Sequence, residues 1–351
     1  MAAFTLYLEG FDGGVKRRRH ACRLIATDDA EMAQKPRLLV TRRLPPNVTA
    51  RVQRDYDAIL NEADDKLDAD AIIARIANAE AMLVAAGDRI DARLIGRLPP
   101  QVKAIATFSV GYEHIDVAAA KARGIIITNT PDVLTDATAD IALLLLLAAS
   151  RRAYEGERLV REGRWSGWHT TMLLGPGLAG KRLGIFGMGR IGRAVAARAR
   201  PFGLEIHYYN RSRLIPDMEQ GAIYHADPES LLRVSDFLSL NAPSGPETRD
   251  FLNARRIALL PDGAVVVNTA RGDLVDDDAL IAALKSGKLF AAGLDVFKGE
   301  PKLDPRYAEL DNVFLLPHVG SATVETRDAM GFTALNNLDA IFAGRTPPNP
   351  V

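Results

Sequence analysis

The stretch Lys181-Arg182-Leu183-Gly184-Ile185-Phe186-Gly187-Met188-Gly189-Arg190-Ile191-Gly192 decides the fold. Its first half reads as a short apolar strand and its second as a glycine-rich turn of the form G-x-G-x-x-G. Downstream, Ile191, Val195, Ala196 and Ala199 recur at helical spacing until Pro201 interrupts the pattern. The glycines alone are a weak motif; the strand before and the helix after give them meaning. Such a turn lets the backbone approach a pyrophosphate, and the helix start offers unpaired N–H groups and a positive dipole end. The pattern predicts a dinucleotide-binding βαβ unit with Gly187, Met188, Gly189, Arg190, Ile191 and Gly192 against the phosphates. The bland competitor is a structural turn.

The next strand, Leu204-Glu205-Ile206-His207-Tyr208-Tyr209, runs into Asn210-Arg211-Ser212-Arg213. Sites selective for NAD place a carboxylate at this strand end, where it accepts hydrogen bonds from the ribose and repels a 2′-phosphate. Here Asn210 replaces it, and two arginines flank Ser212. Guanidinium groups form charge-assisted bonds to phosphate oxygens, so the reading is NADPH in preference to NADH, against a plain solvated basic loop.

The 351 residues are enough for two domains, and 48% hydrophobic with 25% charged residues is an ordinary globular composition. Lysine plus arginine and aspartate plus glutamate are 44 each, so no net field draws in nucleic acid or an anionic membrane. The longest apolar run, Ile141–Ala149, falls well short of the roughly 20 residues needed to span a bilayer. It reads as a buried helix packed on a domain or subunit neighbour. A single cysteine, Cys22, excludes an internal disulfide and fits a reducing, cytoplasmic setting. Residues 1–35 carry the basic cluster Lys16-Arg17-Arg18-Arg19-His20 without a sustained period. Glu9, Asp12, Asp28 and Asp29 argue against a transit peptide, leaving an N-terminal extension of unassigned role.

From Arg37 strands alternate with helices: 38–41, 58–60, 81–85, 102–107 and 125–128 are apolar strands, with helices such as 70–77 between them. Thr130-Pro131-Asp132 breaks this alternation, and a helix over 135–149 follows. A second alternation begins at Leu183, with further strands at 236–242, 264–268, 291–296 and 313–316. The expectation is α/β, with two doubly wound parallel-sheet domains and an interdomain cleft. Residues 36–130 plus 321–351 form the substrate domain, the final helix (322–342) crossing back to it, and residues 131–320 form the dinucleotide domain.

Three polar residues fall at or just past strand ends of the second alternation, where open α/β sheets place their ligands. Arg271 follows 265–270, Glu300 lies in Gly299-Glu300-Pro301, and His318 follows Leu316-Pro317. Singly, each has a dull explanation: a surface charge, a loop acid, a satisfied core histidine. Together, Thr269-Ala270-Arg271-Gly272, Gly299-Glu300-Pro301 and Pro317-His318-Val319-Gly320-Ser321 resemble the D-2-hydroxyacid dehydrogenase family in order and spacing. Ser109-Val110-Gly111-Tyr112-Glu113-His114-Ile115-Asp116 adds to the likeness. Thr130-Pro131-Asp132-Val133-Leu134-Thr135-Asp136 and Arg164-Trp165-Ser166-Gly167-Trp168 bring it nearest to glyoxylate/hydroxypyruvate reductases. The resemblance covers about residues 37–345.

The resemblance implies a flavodoxin-like substrate domain beside a Rossmann domain, and NADPH-dependent reduction of glyoxylate or hydroxypyruvate. Reducing a 2-oxo acid needs a hydride at the carbonyl carbon and a proton at its oxygen. His318 suits the proton donor, Glu300 its orienting partner, and Arg271 the clamp on the carboxylate. Also implied are backbone N–H groups of Val110 and Gly111 on the carboxylate, and cofactor contacts from Thr138, Asn241, Ala242, Pro243, Thr269, Ala270, Asp295, His318 and Gly320. Asp295 would face the nicotinamide amide, its rival role being a turn cap. Trp168 would reach the partner's site in a homodimer. Ala86 marks a departure: the loop Ala85-Ala86-Gly87-Asp88 is slighter than in similar reductases, leaving room for a larger 2-oxo acid such as a 2-ketoaldonate or aryl pyruvate. A nucleotide-sensing corepressor of the same fold is the rival outside enzymes. No histidine–cysteine spacing suggests a metal, and neither a nucleophile elbow nor a phosphate-binding Walker loop is present.

Overall fold

The structure, a computed structural model, describes residues 35–351; the expected extension, with its basic cluster and Cys22, lies outside them. A five-stranded sheet comes first, built from β1 (Arg37–Val40), β2 (Asp57–Ile59), β3 (Ala81–Val84), β4 (Ala104–Thr107) and β5 (Ile126–Thr128). Between them run α1 (Pro46–Asp55), α2 (Ala69–Ile76), α3 (Ala92–Arg97) and α4 (Val117–Ala122). All pairings are parallel, in the order β2-β1-β3-β4-β5. This is the flavodoxin-like order. β3 and β4 are buried at every position, as expected of strands covered by helices on both faces. The helix starts are set by short acidic side chains. Asp68, Asp91 and Asp116 accept the backbone N–H of Ala71, Leu94 and Ala119, satisfying donors the first turn leaves unpaired.

Two helices, α5 (Thr135–Ser150) and α6 (Ala153–Arg161), lead to the second sheet. Its strands are β6 (Arg182–Phe186), β7 (Glu205–Tyr209), β8 (Ile223–His225), β9 (Phe237–Leu240), β10 (Ala264–Asn268), β11 (Leu289–Leu294) and β12 (Val313–Leu315). The connecting helices are α7 (Arg190–Ala199), α8 (Pro216–Glu219), α9 (Pro228–Val234), α10 (Ala254–Ile257) and α11 (Asp277–Ser286), and α12 (Val324–Phe342) closes the chain. The order β12-β11-β10-β9-β6-β7-β8, again all parallel, reverses direction at β6. The crevice at that reversal is where such sheets bind nucleotides.

The apolar run 141–149 is spent inside the chain. α5 packs on the second sheet with Ala142, Leu143, Leu145, Leu146 and Ala149 buried, leaving Leu144 exposed. Gly293 permits this closeness, since a Cβ there would meet the Leu145 backbone oxygen at 2.8 Å. Of the two neighbours expected for this helix, the structure shows the domain one. The closing helix α12 lies against α1 and β4, and Val351 N–H bonds Ile127 O at 2.9 Å, so the tail joins the first sheet.

Three readings needed adjustment. β8 was not anticipated, because three residues at a sheet edge carry little periodicity. β11 starts two residues earlier than expected and ends before Asp295, whose carboxylate turns to a neighbouring loop. Pro201 sits in a short 3₁₀ turn (Arg200–Phe202) continuing from α7, where its missing N–H costs nothing.

Candidate active site

The C-terminal ends of both sheets border one cleft of about 960 Å³. On the second sheet the glycine turn follows β6. Gly187 has φ of +97°, and a Cβ there would meet Ala242 N at 2.7 Å across the switch point. A Cβ on Gly192 would run into the Gly187 carbonyl oxygen. Both positions therefore exclude side chains, while Gly189 begins α7 with no side-chain cap. Ile191 and Arg190 reach the cleft; Arg190 is also ion-paired with Asp132.

Asn210 turns its Oδ1 to the Met188 N–H at 2.7 Å, tying the strand end to the glycine turn. The two arginines beyond it differ. Arg213 is gripped at both Nε and Nη2 by Glu219, at 2.8 and 3.1 Å, and Glu219 also accepts the Tyr208 hydroxyl at 2.6 Å. That hydroxyl accepts the Leu214 N–H at 3.0 Å. Arg211 and Ser212 stand exposed between these anchors with no side-chain partner among the described residues.

Across the reversal, Asn241, Ala242, Pro243, Thr269 and Ala270 line the same cleft, as does Thr138 from α5. Asn241 Oδ1 and Thr269 Oγ1 are buried without a protein partner. Buried polar atoms are rarely left so, and an amide oxygen and a hydroxyl on residues that line a crevice beside a glycine turn fit a dinucleotide.

His318 sits at φ +55°, an uncommon conformation for a histidine. The turn is held from below by Asp295, which accepts the N–H of Val319 at 2.7 Å and of Gly320 at 2.8 Å. Burial raises the Asp295 carboxyl above its ordinary range despite these bonds. Asp295 thus takes the turn-cap role, the rival considered above, while still lining the cleft. His318 Nδ1 meets Glu300 Oε2 at 2.7 Å, and Glu300 Oε1 accepts the Phe297 N–H at 2.8 Å. Burial pushes the Glu300 carboxyl up, yet the bonds from His318 and Phe297, with the His318 and Arg271 charges, hold it below the usual carboxylate range. The carboxylate fixes the ring through Nδ1 and leaves Nε2 for the cleft.

Arg271 approaches from the end of β10, its Nη1 bonded to the Ala270 carbonyl at 2.7 Å. Its Nη2 lies against Gly111 of the first sheet, where any Cβ would collide with it. Val110 and Ala86 complete that wall. The structure thus brings Arg271, His318, Val110, Gly111 and Ala86 to one cleft, with Glu300 directly behind His318. Trp168 is not part of it: the ring is 76% exposed on the loop after α6. Sequence reasoning assigned no role to Glu113, 3.4 Å from Arg271, or to Arg327 of α12, which also faces the cleft. Glu113 was visible within the quoted 109–116 segment; nothing marked Arg327. Among the described residues no group of three metal-ligating side chains exists and no helix is long and apolar enough to cross a membrane.

Residues 143–320 match the family model described as the D-isomer specific 2-hydroxyacid dehydrogenase, NAD-binding domain. The chain is 45% identical over 312 residues to a glycerate dehydrogenase of Hyphomicrobium methylovorum, covering 88% of this chain and 97% of that one. It is similar to a solved structure from Polaromonas sp., assigned to the D-isomer specific 2-hydroxyacid dehydrogenases, with TM-score 0.87 and 53% identity over 90% of this chain and 99% of that one. An NADPH-dependent glyoxylate/hydroxypyruvate reductase from Sinorhizobium meliloti, solved with NADP and malonate, superposes with TM-score 0.81 at 36% identity, covering 91% and 97% of the two chains. With its two parallel sheets, its glycine turn and its Arg271, Glu300 and His318 cleft, the chain belongs to the D-isomer specific 2-hydroxyacid dehydrogenases, a family of NAD(P)-dependent oxidoreductases.

Proposed function

We propose that this protein is an NADPH-preferring reductase of small 2-oxo acids, converting glyoxylate to glycolate and hydroxypyruvate to D-glycerate. The observation that carries the reading is the meeting of Arg271 with Gly111 beside the His318–Glu300 pair, at the mouth of a dinucleotide cleft. NADPH supplies the hydride when bound. Gly187–Gly192, Thr138, Asn241–Pro243, Thr269–Ala270 and Gly320 would hold it. Arg211 and Ser212, exposed between two anchors, together with Asn210, would take the 2′-phosphate.

The chain's own residues account for the rest of the chemistry. Arg271 grips the substrate carboxylate and polarises the carbonyl, holding the reacting carbon in place. The Val110 and Gly111 N–H groups take the carboxylate from the facing wall. His318 gives its proton to the carbonyl oxygen, and Glu300 stabilises the imidazolium that does so. The names of the glycerate dehydrogenase and glyoxylate/hydroxypyruvate reductase relatives support this substrate class.

A larger 2-oxo acid is the second reading. The small Ala86 and Gly87 on the cleft wall favour it. A spectrophotometric panel of 2-oxo acids with NADPH and NADH tests both. Turnover of glyoxylate and hydroxypyruvate above bulkier acids, and faster with NADPH, is expected; no turnover with either cofactor sinks the enzyme reading. A homodimer in the cytoplasm completes the proposal.

A further inference from the structure

Three successive carbonyls in the first-sheet wall are each taken by a donor. The Ser109 carbonyl accepts the Thr130 N–H at 3.0 Å, the Val110 carbonyl accepts Asn129 Nδ2 at 2.8 Å, and the Gly111 carbonyl accepts Ser109 Oγ at 2.6 Å. In a trans peptide the N–H points opposite to the C=O of the same plane. With the Ser109 and Val110 carbonyls held by Thr130 and Asn129, the N–H groups of Val110 and Gly111 are aimed to the opposite side of each peptide plane. Neither N–H bonds a protein acceptor among the described residues.

A side-chain relay stands behind the last of these bonds, and its direction can be deduced. A carbonyl only accepts, so the Ser109 hydroxyl spends its one hydrogen on Gly111 O. Ser109 Oγ lies 2.7 Å from Thr107 Oγ1 and must therefore accept from it. Thr107, its hydrogen spent, must in turn accept from His114 Nε2 at 3.0 Å. His114 thus carries its hydrogen on Nε2, and the chain runs from imidazole through two hydroxyls to the Gly111 carbonyl. Thr107 is fully buried, so bulk water does not reach the middle link of the relay.

We propose that His114, Thr107, Ser109 and Asn129 are positioning residues for the substrate carboxylate: Asn129 orients the Gly111 N–H through the Val110 carbonyl, and the relay clamps the next peptide, Gly111–Tyr112, so that Gly111 is held from both sides. His114 and Thr107 stand behind the cleft wall, and Ser109 and Asn129 border the cleft; all four act through the backbone they bond. Their effect is confined to the carboxylate of the 2-oxo acid, and the inference rests on the substrate reading above.

The test uses full-length protein. Thr107→Val keeps shape and deletes the hydroxyl, Thr107→Ser restores it, and Ser109→Ala removes the last link. Michaelis constants for glyoxylate, and binding of oxamate to the enzyme–NADP complex, are measured beside NADPH affinity. Losing one such bond corresponds to roughly three- to tenfold. Thr107→Val and Ser109→Ala should weaken glyoxylate and oxamate by that factor, with NADPH affinity unchanged and Thr107→Ser near wild type. Should Thr107→Val fail to fold, Ser109→Ala alone decides. Unchanged oxamate binding, or equal loss of oxamate and NADPH, overturns the proposal. Wild-type protein that turns over no 2-oxo acid overturns the substrate reading instead.

Discussion

The Asp295 carboxylate accepts the backbone N–H of Gly320 at 2.8 Å, while its other oxygen holds Val319. A residue 25 positions upstream thereby fixes the turn that carries His318 in a left-handed conformation. Asp295→Asn replaces one acceptor oxygen with an NH₂ group, so one buried N–H loses its partner. Such a loss costs about 1–3 kcal/mol. We expect a lower thermal midpoint and a fall in kcat as His318 drifts from its place. A variant with wild-type kcat would remove Asp295 from any positioning role.

The acid–base pair makes a prediction in pH. The Glu300 carboxyl is held below its ordinary range, against its burial, by the bonds from His318 and Phe297 and the charges around it. Reduction consumes a proton, so the rate of reduction depends on pH. Glu300→Gln keeps the shape and removes the charge, so the alkaline limb of the rate profile should move to lower pH, with acid-side activity better preserved. His318→Ala should lose about 10²–10⁴-fold across the whole range. A pH profile identical to wild type in Glu300→Gln would dissolve the pairing.

For the cofactor, the two arginines after β7 should behave differently. Arg213 is committed to Glu219, whereas Arg211 has no partner among the described residues. Removing a charge-assisted bond to phosphate typically weakens binding about ten- to a hundredfold. Arg211→Ala should raise the NADPH Michaelis constant by that order and leave NADH nearly untouched. Arg213→Ala should have a smaller, partly structural effect on both. Equal losses with both cofactors in Arg211→Ala would make that residue structural too.

Gly111→Ala tests the meeting of the two walls. The added Cβ would displace the Arg271 guanidinium, a flexible group, so the fold should survive. We expect the Michaelis constant for glyoxylate to rise about ten- to a hundredfold while NADPH affinity holds. Wild-type glyoxylate kinetics would mean that Arg271 does not bind substrate from this position.

Trp165 and Trp168 are 53% and 76% exposed, with Val160 and Leu174 also exposed nearby in the chain. Large apolar groups gathered on a surface mark an interaction site, and a two-fold dimer is the commonest closed assembly. Light scattering at micromolar concentration should give twice the chain mass. A monomer would leave Trp168 without its cross-subunit part.

Much of this molecule could be read from the chain alone because the deciding signals are local. Strand and helix periods, the strand before Gly187 and the helix after Gly192 are set by neighbours a few residues apart. So are Arg271, Glu300 and His318 at strand ends, since the ends of parallel strands converge whatever the intervening loops do. What only the tertiary structure decided was which polar atoms are spoken for. Arg211 and Arg213 look equivalent in sequence, yet Glu219 under Tyr208 claims one of them. Asp295, expected to face the cofactor amide or to cap a turn, lines the cleft and also holds the turn after His318. His114, given no role of its own by the sequence, heads a chain of hydrogen bonds ending at Gly111. A hydrogen bond is satisfied within about 3 Å, and which donor comes within that distance of which acceptor is settled by the packing of sheets and helices, at separations along the chain that no local pattern records.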